Sequence, residues 1–463
     1  MDFYRRGYMK KVFLVLFSLL FIVSCDSTGD KVDNVNTKAD KSQNQYQYAQ
    51  PYNPWTIAES DDYYYHISEN FLYAISKKNG KIKALDNNPD SLADKETDIN
   101  KLIESNAFFH IPRSVYYNDN KLYVLASKKK LSERENTDIL DGYEDCLYEV
   151  KTDGSGQKEL FLPGESIYEA FIHEGYFYYS TSNIWEKMDL INSGNLGKDS
   201  LENLDYKIQR VALDNVKSKP EVIYEQKAAG YIRTMKVYDD YLHFSDYKIT
   251  SDEKNDKKAV YEFTEKICNL KNLEVNETVK VEQKNPNLKI NKSSIVPVDD
   301  GIMYLYSLVD IQEEEELNNL KPEEKIDKIK KGEVDYPEKN FVKAKFDGTI
   351  LEEFKMSSNL HPVAFLNGYG KYLCLDNLLW SKNGLADTRK LQILNTKGEL
   401  LDELTPPENT GMIIGMDNDY IYVDVQNVQE STGQIIDIYR VNLNKIGTDE
   451  FKFELFFTRS AEK

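Results

Sequence analysis

One short pattern recurs seven times along the chain and restricts the fold more than any other feature. Each copy has an apolar stretch, a turn with Asp, Asn or Gly, and a second stretch in which aromatic residues alternate with others. The copies lie at residues 57–65, 115–123, 170–178, 235–243, 295–304, 364–372 and 414–422. Because Asx and Gly accept the backbone angles of tight turns and alternation is the period of a strand, each copy predicts a β-hairpin.

A second strand–turn–strand pattern follows most copies, several times with Asx-Gly at the turn. Its members lie at residues 72–80, 148–154, 208–215, 267–270, 342–348, 391–398 and 438–443. Two hairpins per repeat make four-stranded units of about 50–65 residues, an arrangement typical of propeller blades. We therefore predict an all-β fold, a β-propeller of about seven four-stranded blades, with six or eight also open. The alternative is a string of separate small β domains, which the lack of low-complexity linkers between the units disfavours.

The propeller is predicted to span residues 55–460, with polar loops between its strands. The longest of these is a charged insert at 312–340, where the period becomes helical between residues 321 and 331. Pro322 and two glutamates at one end of this stretch, with two lysines at the other, fit the dipole of a short helix. Two interpretations stay open, a solvated decoration of the blade and a docking element.

The N-terminal segment predicts export. Residues 1–11 are basic and residues 12–23 are apolar apart from Ser18, a run too short to span a bilayer comfortably as a permanent helix. The run ends in Ile-Val-Ser-Cys at 22–25, which resembles the bacterial lipobox. The resemblance implies a signal peptide over 1–24, cleavage before Cys25, and diacylglyceryl on the Cys25 thiol. An ordinary secretory signal with an incidental cysteine is the alternative, and translation can start at Met1 or Met9.

The segment between this cysteine and the first repeat predicts a flexible tether over 25–54. It is polar, rich in Asn and Gln and poor in aliphatic residues, so it cannot bury enough apolar surface to fold alone. Three tyrosines, at positions 46, 48 and 52, leave open a strand extension that packs on the propeller. The expected location is the bacterial cell membrane, lipid-anchored and facing the extracytoplasmic side.

The charge of the chain limits its partners. It has 59 Lys and Arg against 78 Asp and Glu, a formal net charge of −19, and a pI of about 4.9. Removing residues 1–24, which hold four basic and one acidic side chain, lowers the charge to −22. Such a body repels polyanions and anionic headgroups, so we expect no nucleic-acid partner and attachment to the membrane through the lipid on Cys25 alone.

The remaining cysteines do not make a disulfide framework. Cys146, Cys268 and Cys374 are odd in number, lie more than a hundred residues apart, and stand in apolar, strand-like surroundings. Buried free thiols are the favoured interpretation, and a single disulfide pair is the alternative.

A family resemblance enters at the last repeat. The strand at 418–422, which ends in Tyr-Ile-Tyr, is followed by Ile-Tyr-Arg-Val-Asn-Leu at 438–443. This pairing resembles the propeller repeats of exported bacterial lipoproteins related to the low-density-lipoprotein-receptor (YWTD-type) propellers. The resemblance implies a binding or scaffolding role and supplies no catalytic residues.

Motifs of known chemistry are missing from the sequence, which has no nucleophile elbow, zinc helix, P-loop, dinucleotide glycine pattern or CxxC pair. We therefore predict no catalytic residues, metal ligands or cofactor. Three alternatives stay open: a metal held by several of the five histidines, calcium at the Asp-Asp turns, and a glycan site lined by tyrosines. The histidines are His66, His110, His173, His243 and His361, and the Asp-Asp turns are at 61–62, 239–240 and 299–300.

Two classes of function follow. In the first, the propeller is a non-catalytic module that binds or scaffolds an envelope protein or a polymer such as a glycan. In the second, it is a cell-envelope hydrolase or lyase with a carboxylate-based site in the channel, by analogy of fold alone. Convergence of Asp, Glu, His or Arg side chains in one concave site distinguishes the second class from the first.

Overall fold

The computed structural model describes residues 57–458 with gaps. The predicted signal peptide, Cys25 and the tether therefore lie outside the described residues. Within 57–458 the gaps are at 69, 88–103, 128–144, 162, 165–166, 185–200, 202, 239, 253–254, 278–287, 293–294, 322–323, 325–327, 329–338, 361–364, 378–388 and 430–432.

The described residues form seven antiparallel sheets, which we number as blades 1 to 7 in chain order. Blade 1 contains β1 to β4 (Ile57–Glu59, Tyr63–Ser68, Phe71–Ser76, Ile82–Ala84), blade 2 contains β5 to β8 (Pro112–Asn118, Lys121–Ser127, Asp145–Lys151, Gln157–Phe161), and blade 3 contains β9 to β12 (Ile167–His173, Tyr176–Ser182, Tyr206–Ala212, Glu221–Gln226). Blade 4 contains β13 to β16 (Gly230–Tyr238, Tyr241–Asp252, Asn255–Asn269, Glu274–Glu277), and blade 5 contains β17 to β21 (Leu288–Lys292, Val296–Val298, Gly301–Asp310, Lys339–Ala344, Ile350–Lys355). Blade 6 contains β22 to β25 (Phe365–Tyr369, Tyr372–Asp376, Leu391–Asn395, Leu400–Leu404), and blade 7 contains β26 to β29 (Thr410–Met416, Tyr420–Gln429, Gly433–Asn442, Phe453–Phe457).

In every blade the strands pair in chain order, so each blade is an up-and-down meander. Blade 5 departs from this only at its first position, where β17 and β18 both pair with β19 at different points along it. Four strand positions per blade and seven blades confirm the predicted β-propeller. Each of the seven repeated hairpins of the sequence is the hairpin between the first two strand positions of a blade.

The blades form a ring with their first strands innermost. First strands contact each other between blades 1 and 2, 2 and 3, 3 and 4, 5 and 6, and 6 and 7. Blades 4 and 5 share a core in which Tyr238 of β13 packs with Tyr304 of β19. The remaining junction, between blades 7 and 1, is an aromatic core that includes Tyr64, Tyr73, Tyr422 and Phe457. The ring is therefore closed.

Within the described ranges no strand is shared across this last junction, because the strands of blade 1 come from residues 57–84 and those of blade 7 from 410–457. The closing contacts are between side chains. The Phe457 ring lies with its centroid 5.2 Å from that of His66 and 5.5 Å from that of Tyr73, and Tyr64 lies 5.2 Å from Phe456. Aromatic pairs of this kind stabilise by about 0.5–1.5 kcal/mol each beyond their buried area.

Tyrosine supplies much of the core between blades. Six of the twelve largest fully buried side chains are tyrosines. Two of their hydroxyls donate hydrogen bonds to the neighbouring blade. The Tyr116 hydroxyl donates to the Ala170 carbonyl at 2.7 Å, and the Tyr206 hydroxyl to Asp246 Oδ1 at 2.5 Å. A buried tyrosine hydroxyl usually has such a hydrogen-bond partner. Packing between blades therefore accounts for much of the tyrosine content.

The outer strands of five blades carry a β-bulge. The register shifts between the third and fourth strands of blades 2, 3, 5, 6 and 7. A bulge twists the strand and interrupts its pairing, which hinders the addition of a further strand at the exposed edge.

A helix, α1, follows β19 in blade 5. It runs over Ile311–Asn319 and begins at Asp310, whose carboxylate accepts hydrogen bonds from the backbone N–H groups of Gln312 and Glu313. Of the helix predicted at 321–331, the structure describes only positions 321, 324 and 328, and it assigns the last two as helical. Over the described ranges, no helix has the length and apolar character needed to cross a membrane.

The three cysteines of the propeller are buried and free. Burial raises the pKa of the Cys268 thiol to about 12 and that of Cys374 well above its ordinary value. Thiols of this kind are protonated and unreactive at neutral pH.

Candidate binding face

The two faces of the propeller differ in the length of their connections. Because each blade is a meander, the connections between strand positions 1 and 2 and between positions 3 and 4 lie on one face, which we call the turn face. The connections between positions 2 and 3, and those from one blade to the next, lie on the other, which we call the loop face. The chain enters β1 and leaves β29 on the loop face.

Connections on the turn face are short. Between positions 1 and 2 they have two or three residues in every blade, and between positions 3 and 4 they have four to ten. Glycines with positive φ serve the predicted Asx-Gly turns, for example Gly154 (φ +74°) and Gly348 (φ +86°). The Asp-Asp turns at 61–62 and 299–300 also lie here, as does Asp240, whereas position 239 is outside the described residues. Asp300 pairs with Lys343 at 2.9 Å.

Connections on the loop face carry nearly all the extra length of the chain. Between positions 2 and 3 there are 17 residues in blade 2, 23 in blade 3, 28 in blade 5 and 14 in blade 6. The step from blade 1 to blade 2 takes a further 27. In blades 4 and 7 the strands at positions 2 and 3 are themselves longer, and the connection between them is short. Long insertions on one face of a repeat protein are typical of its binding surface.

The lengthened hairpin of blade 4 extends beyond strand β13 and packs against blade 3. Strand β13 pairs with β14 as far as Gly230 and Lys248, while β14 and β15 continue to Asp252 and Asn255. Ile249 at its base packs in a small core with Tyr168, Ile184 and Leu204 of blade 3 and its loop, together with Ala229. The Tyr231 ring lies between the Tyr168 and Tyr247 rings, with centroids 5.8 Å and 5.1 Å away and interplanar angles of 3° and 11°.

Charged side chains connect one blade to the next. At the junction of blades 2 and 3, Arg113 donates to Asp145 Oδ2 at 2.9 Å and to the carbonyls of Ile167 and Tyr168 at 2.6 and 2.9 Å. The Ile167 N–H donates to the same Asp145 oxygen at 2.7 Å. Burial raises the pKa of Asp145, although Arg113 acts in the opposite direction.

Glu169 makes the equivalent connection between blades 3 and 4. Its two carboxylate oxygens accept from the backbone N–H groups of Thr234 and Met235 at 2.7 and 2.8 Å. Thr234 has φ +53°, a conformation that costs a β-branched residue roughly 1–3 kcal/mol. The carboxylate and a hydrogen bond between the Thr234 and Ser245 hydroxyls hold this conformation.

Lys236 connects blade 4 to blade 5, because its ammonium donates to the Ile295 carbonyl at 3.1 Å. Burial lowers the pKa of Lys236 to about 8, and Glu169 and Glu265 oppose that shift. Arg389 acts similarly between blades 6 and 7. It binds Asp376 with two nitrogens, at 2.8 and 2.5 Å, and donates to the carbonyls of the first two residues of β26 at 2.6 and 3.0 Å.

We call these four groups the junction latches. Their charged atoms bond to the backbone of the next blade, so they fix the spacing of the inner strands. None of these residues was predicted from the sequence. A signal was available for Glu169, because it is the one carboxylate in the largely apolar strand β9.

The four histidines that the structure describes do not converge on one site. His66 lies on β2 and His243 on β14, both are fully buried, and burial lowers the pKa of each to about 3. His361 lies outside the described residues. Among the residues that the structure describes, no three His, Cys, Asp or Glu side chains are arranged to hold a metal ion.

No family model matches the sequence. No curated protein matches it either. Among solved structures, the chain is similar to a prolyl endopeptidase, with 12% identity, a TM-score of 0.45, and coverage of 89% of this chain and 50% of that one. It thus spans half the length of that enzyme.

Two further structures are similar. One is the oligogalacturonate lyase of Vibrio parahaemolyticus, with 10% identity, a TM-score of 0.45, and coverage of 89% of this chain and 98% of that one. The other is a chain of a nidogen/laminin complex, with 12% identity, a TM-score of 0.30, and coverage of 55% and 75%. With TM-scores below 0.5, these likenesses say nothing about activity.

Proposed function

We propose that the protein is a bacterial lipoprotein, anchored to the cell membrane through Cys25, whose propeller is a non-catalytic module that binds an envelope protein or glycan on its loop face. The unequal length of the connections on the two faces carries this proposal. Short turns on one face are what the fold requires, whereas the long connections on the other are additions that the blades do not need. A relationship to the YWTD-type lipoprotein propellers is part of the proposal.

The junction latches support a non-catalytic role. A general base or a nucleophile needs an oxygen or nitrogen that can reach the substrate. Asp145 and Glu169 instead receive backbone N–H groups of the next blade, and Lys236 and Arg389 donate to backbone carbonyls. These contacts use the charged groups to hold blades together.

Site-specific cross-linking in the native membrane tests the binding face. A photo-reactive amino acid replaces Lys248 or Ser357 on the loop face, and in a matched control it replaces Lys151, which is exposed at the turn face. We expect mass spectrometry to identify the same captured species from both loop-face positions and not from Lys151. Equal capture from both faces contradicts the proposal.

Membrane attachment is tested separately. The variant Cys25→Ser should lose incorporation of a labelled fatty acid and appear in the soluble fraction, because the thiol that accepts the lipid is gone. Ser27→Ala, two residues away, should keep both properties. Retention of the label in Cys25→Ser refutes the lipid anchor.

The alternative is an envelope hydrolase or lyase with a carboxylate-based site in the propeller channel. Such an enzyme needs a carboxylate that reaches its substrate. Turnover of envelope glycans by the purified protein would establish the enzyme.

A further inference from the structure

The outer strands of blades 5 and 6 share a four-residue pattern of two aliphatic residues followed by two acidic residues. It reads Ile-Leu-Glu-Glu at 350–353 and Leu-Leu-Asp-Glu at 400–403. The aliphatic side chains are exposed, by 44% and 47% at Ile350 and Leu351 and by 37% and 39% at Leu400 and Leu401. We call these four residues the rim patch.

The two halves of the rim patch lie on neighbouring blades and at the same end of their strands. Each pair begins within two residues after the glycine of a turn-face connection, Gly348 or Gly398. A Cβ placed on Gly398 would lie 2.7 Å from a Phe354 ring carbon, so the blade 6 turn touches the outer strand of blade 5. Phe354 in turn packs against the core that blades 5 and 6 share.

Isolated exposed aliphatic residues are ordinary on a protein surface, and contiguous ones mark interaction sites. Val222 on the outer strand of blade 3 and Leu455 on that of blade 7 are isolated in this sense, although they are exposed by 46% and 51%. Two consecutive pairs on adjacent blades distinguish the rim patch from these single residues.

The strands themselves restrict the kind of partner. Leu351 and Leu401 are the additional residues of the two bulges, since Ala344 pairs with Ile350 and Lys343 with Glu352, and blade 6 repeats this arrangement. A bulge at the aliphatic pair breaks the regular row of backbone groups that an added strand would need. The contacts offered to a partner are therefore side-chain contacts.

The charge next to the rim patch is acidic. Strands β21 and β25 together carry Glu352, Glu353, Asp402 and Glu403 against one basic residue, Lys355, and Glu403 already pairs with Lys390 at 3.1 Å. A partner must therefore present aliphatic side chains bordered by positive charge. A second copy of this chain, with a net charge of −19, does not meet this requirement.

We propose that the rim patch docks an amphipathic helix of a partner protein, whose aliphatic face covers the four residues and whose Lys and Arg residues pair with the bordering carboxylates. The rim patch lies toward the turn face, whereas the proposed ligand surface is the loop face. Both surfaces can be occupied at the same time, which makes the propeller a scaffold with two sites.

The probe is a synthetic peptide of about 18 residues, five helical turns, with one leucine face bordered by lysines. A second peptide has glutamate in place of lysine, and a third has the same composition with the leucines scattered. Fluorescence anisotropy measures their binding to the propeller and to the double variant Leu351→Ser/Leu401→Ser. The matched control is Val222→Ser/Leu455→Ser.

We expect the lysine peptide to bind about tenfold more weakly to the rim-patch variant and within about twofold of wild type to the control, with binding weakened by salt. Equal loss in both variants, or equal binding of the glutamate or scattered peptide, overturns the proposal. Sedimentation gives an independent result. A wild-type dimer that the rim-patch variant converts to monomer identifies a second copy as the occupant and refutes the basic helix.

Discussion

Replacing Phe457 by alanine is expected to loosen the ring at the junction of blades 7 and 1. Phe457 is the last residue of the last strand and is 1% exposed, with its ring against His66 and Tyr73 of blade 1. Truncating a buried phenylalanine costs about 3–5 kcal/mol, a range that includes its aromatic contacts, so we expect a loss of about 4 kcal/mol in the free energy of unfolding.

The distinctive result concerns location. In the part of the chain that the structure describes, no backbone hydrogen bonds of a shared strand bridge this junction, so losing the Phe457 side chain should let blades 1 and 7 separate while the other five blades stay folded. Urea denaturation measures the loss of stability, and hydrogen exchange with mass spectrometry measures protection in β2 and β27. Phe177→Ala is the control, because Phe177 is equally buried but lies in blade 3, which is joined to both of its neighbours by the chain.

Either of two results would refute the prediction for Phe457→Ala. A loss below about 1 kcal/mol means that Phe457 does not fill the junction. Faster hydrogen exchange spread evenly over all blades, as expected for Phe177→Ala, means that the propeller unfolds as one unit. The junction of blades 7 and 1 is then no weaker than the other junctions.

Three further predictions concern the buried polar groups. Arg389→Met should destabilise the protein by about 3–5 kcal/mol in chemical denaturation, because it leaves Asp376 buried without its charge partner. Adding Asp376→Leu should recover much of that loss. If the single variant is as stable as wild type, Arg389 does not act as a junction latch. Burial lowers the pKa of His66 from 6.5 to about 3 in the folded state. Its contribution to the free energy of unfolding is therefore complete above pH 6.5 and is lost as the pH falls toward 3. Thermal unfolding at pH 5 against pH 7.5 should show a loss of about 2 kcal/mol from this group, which His66→Phe removes. In Cys25→Ser, a thiol reagent should modify none of the three other cysteines in the folded protein and all three in urea, since the thiols are buried; rapid labelling without urea refutes that burial.

The sequence predicted the features that depend on neighbouring residues. Each repeated hairpin is specified by a local turn and by strand alternation, so the seven copies gave the blade count and the short connections of the turn face. The charged insert was recognised, and the described helix in this region, α1, begins before it, at Ile311. Asp310 caps that helix at its N-terminus, a local signal on which the prediction did not draw.

The latches could not be predicted because their partners lie far apart in the chain. Arg113 and Asp145 are 32 residues apart, and Glu169 reaches Thr234 across 65. Nothing in a single sequence states which backbone N–H a glutamate on one blade will meet on the next. The division of blade 5 at its first position, where β17 and β18 share β19, is equally a matter of packing.

Because every blade is made from one continuous stretch of chain, the order of the blades around the ring does not depend on where the chain is cut. The first strand of blade 1 and the last strand of blade 7 begin and end on the same face, beside the junction that their side chains close. Joining residues 57 and 457 by a linker and opening the chain between two other blades would therefore preserve all seven sheets. A blade of this propeller is thus a unit that duplication can add and deletion can remove, with only the curvature of the ring left to adjust.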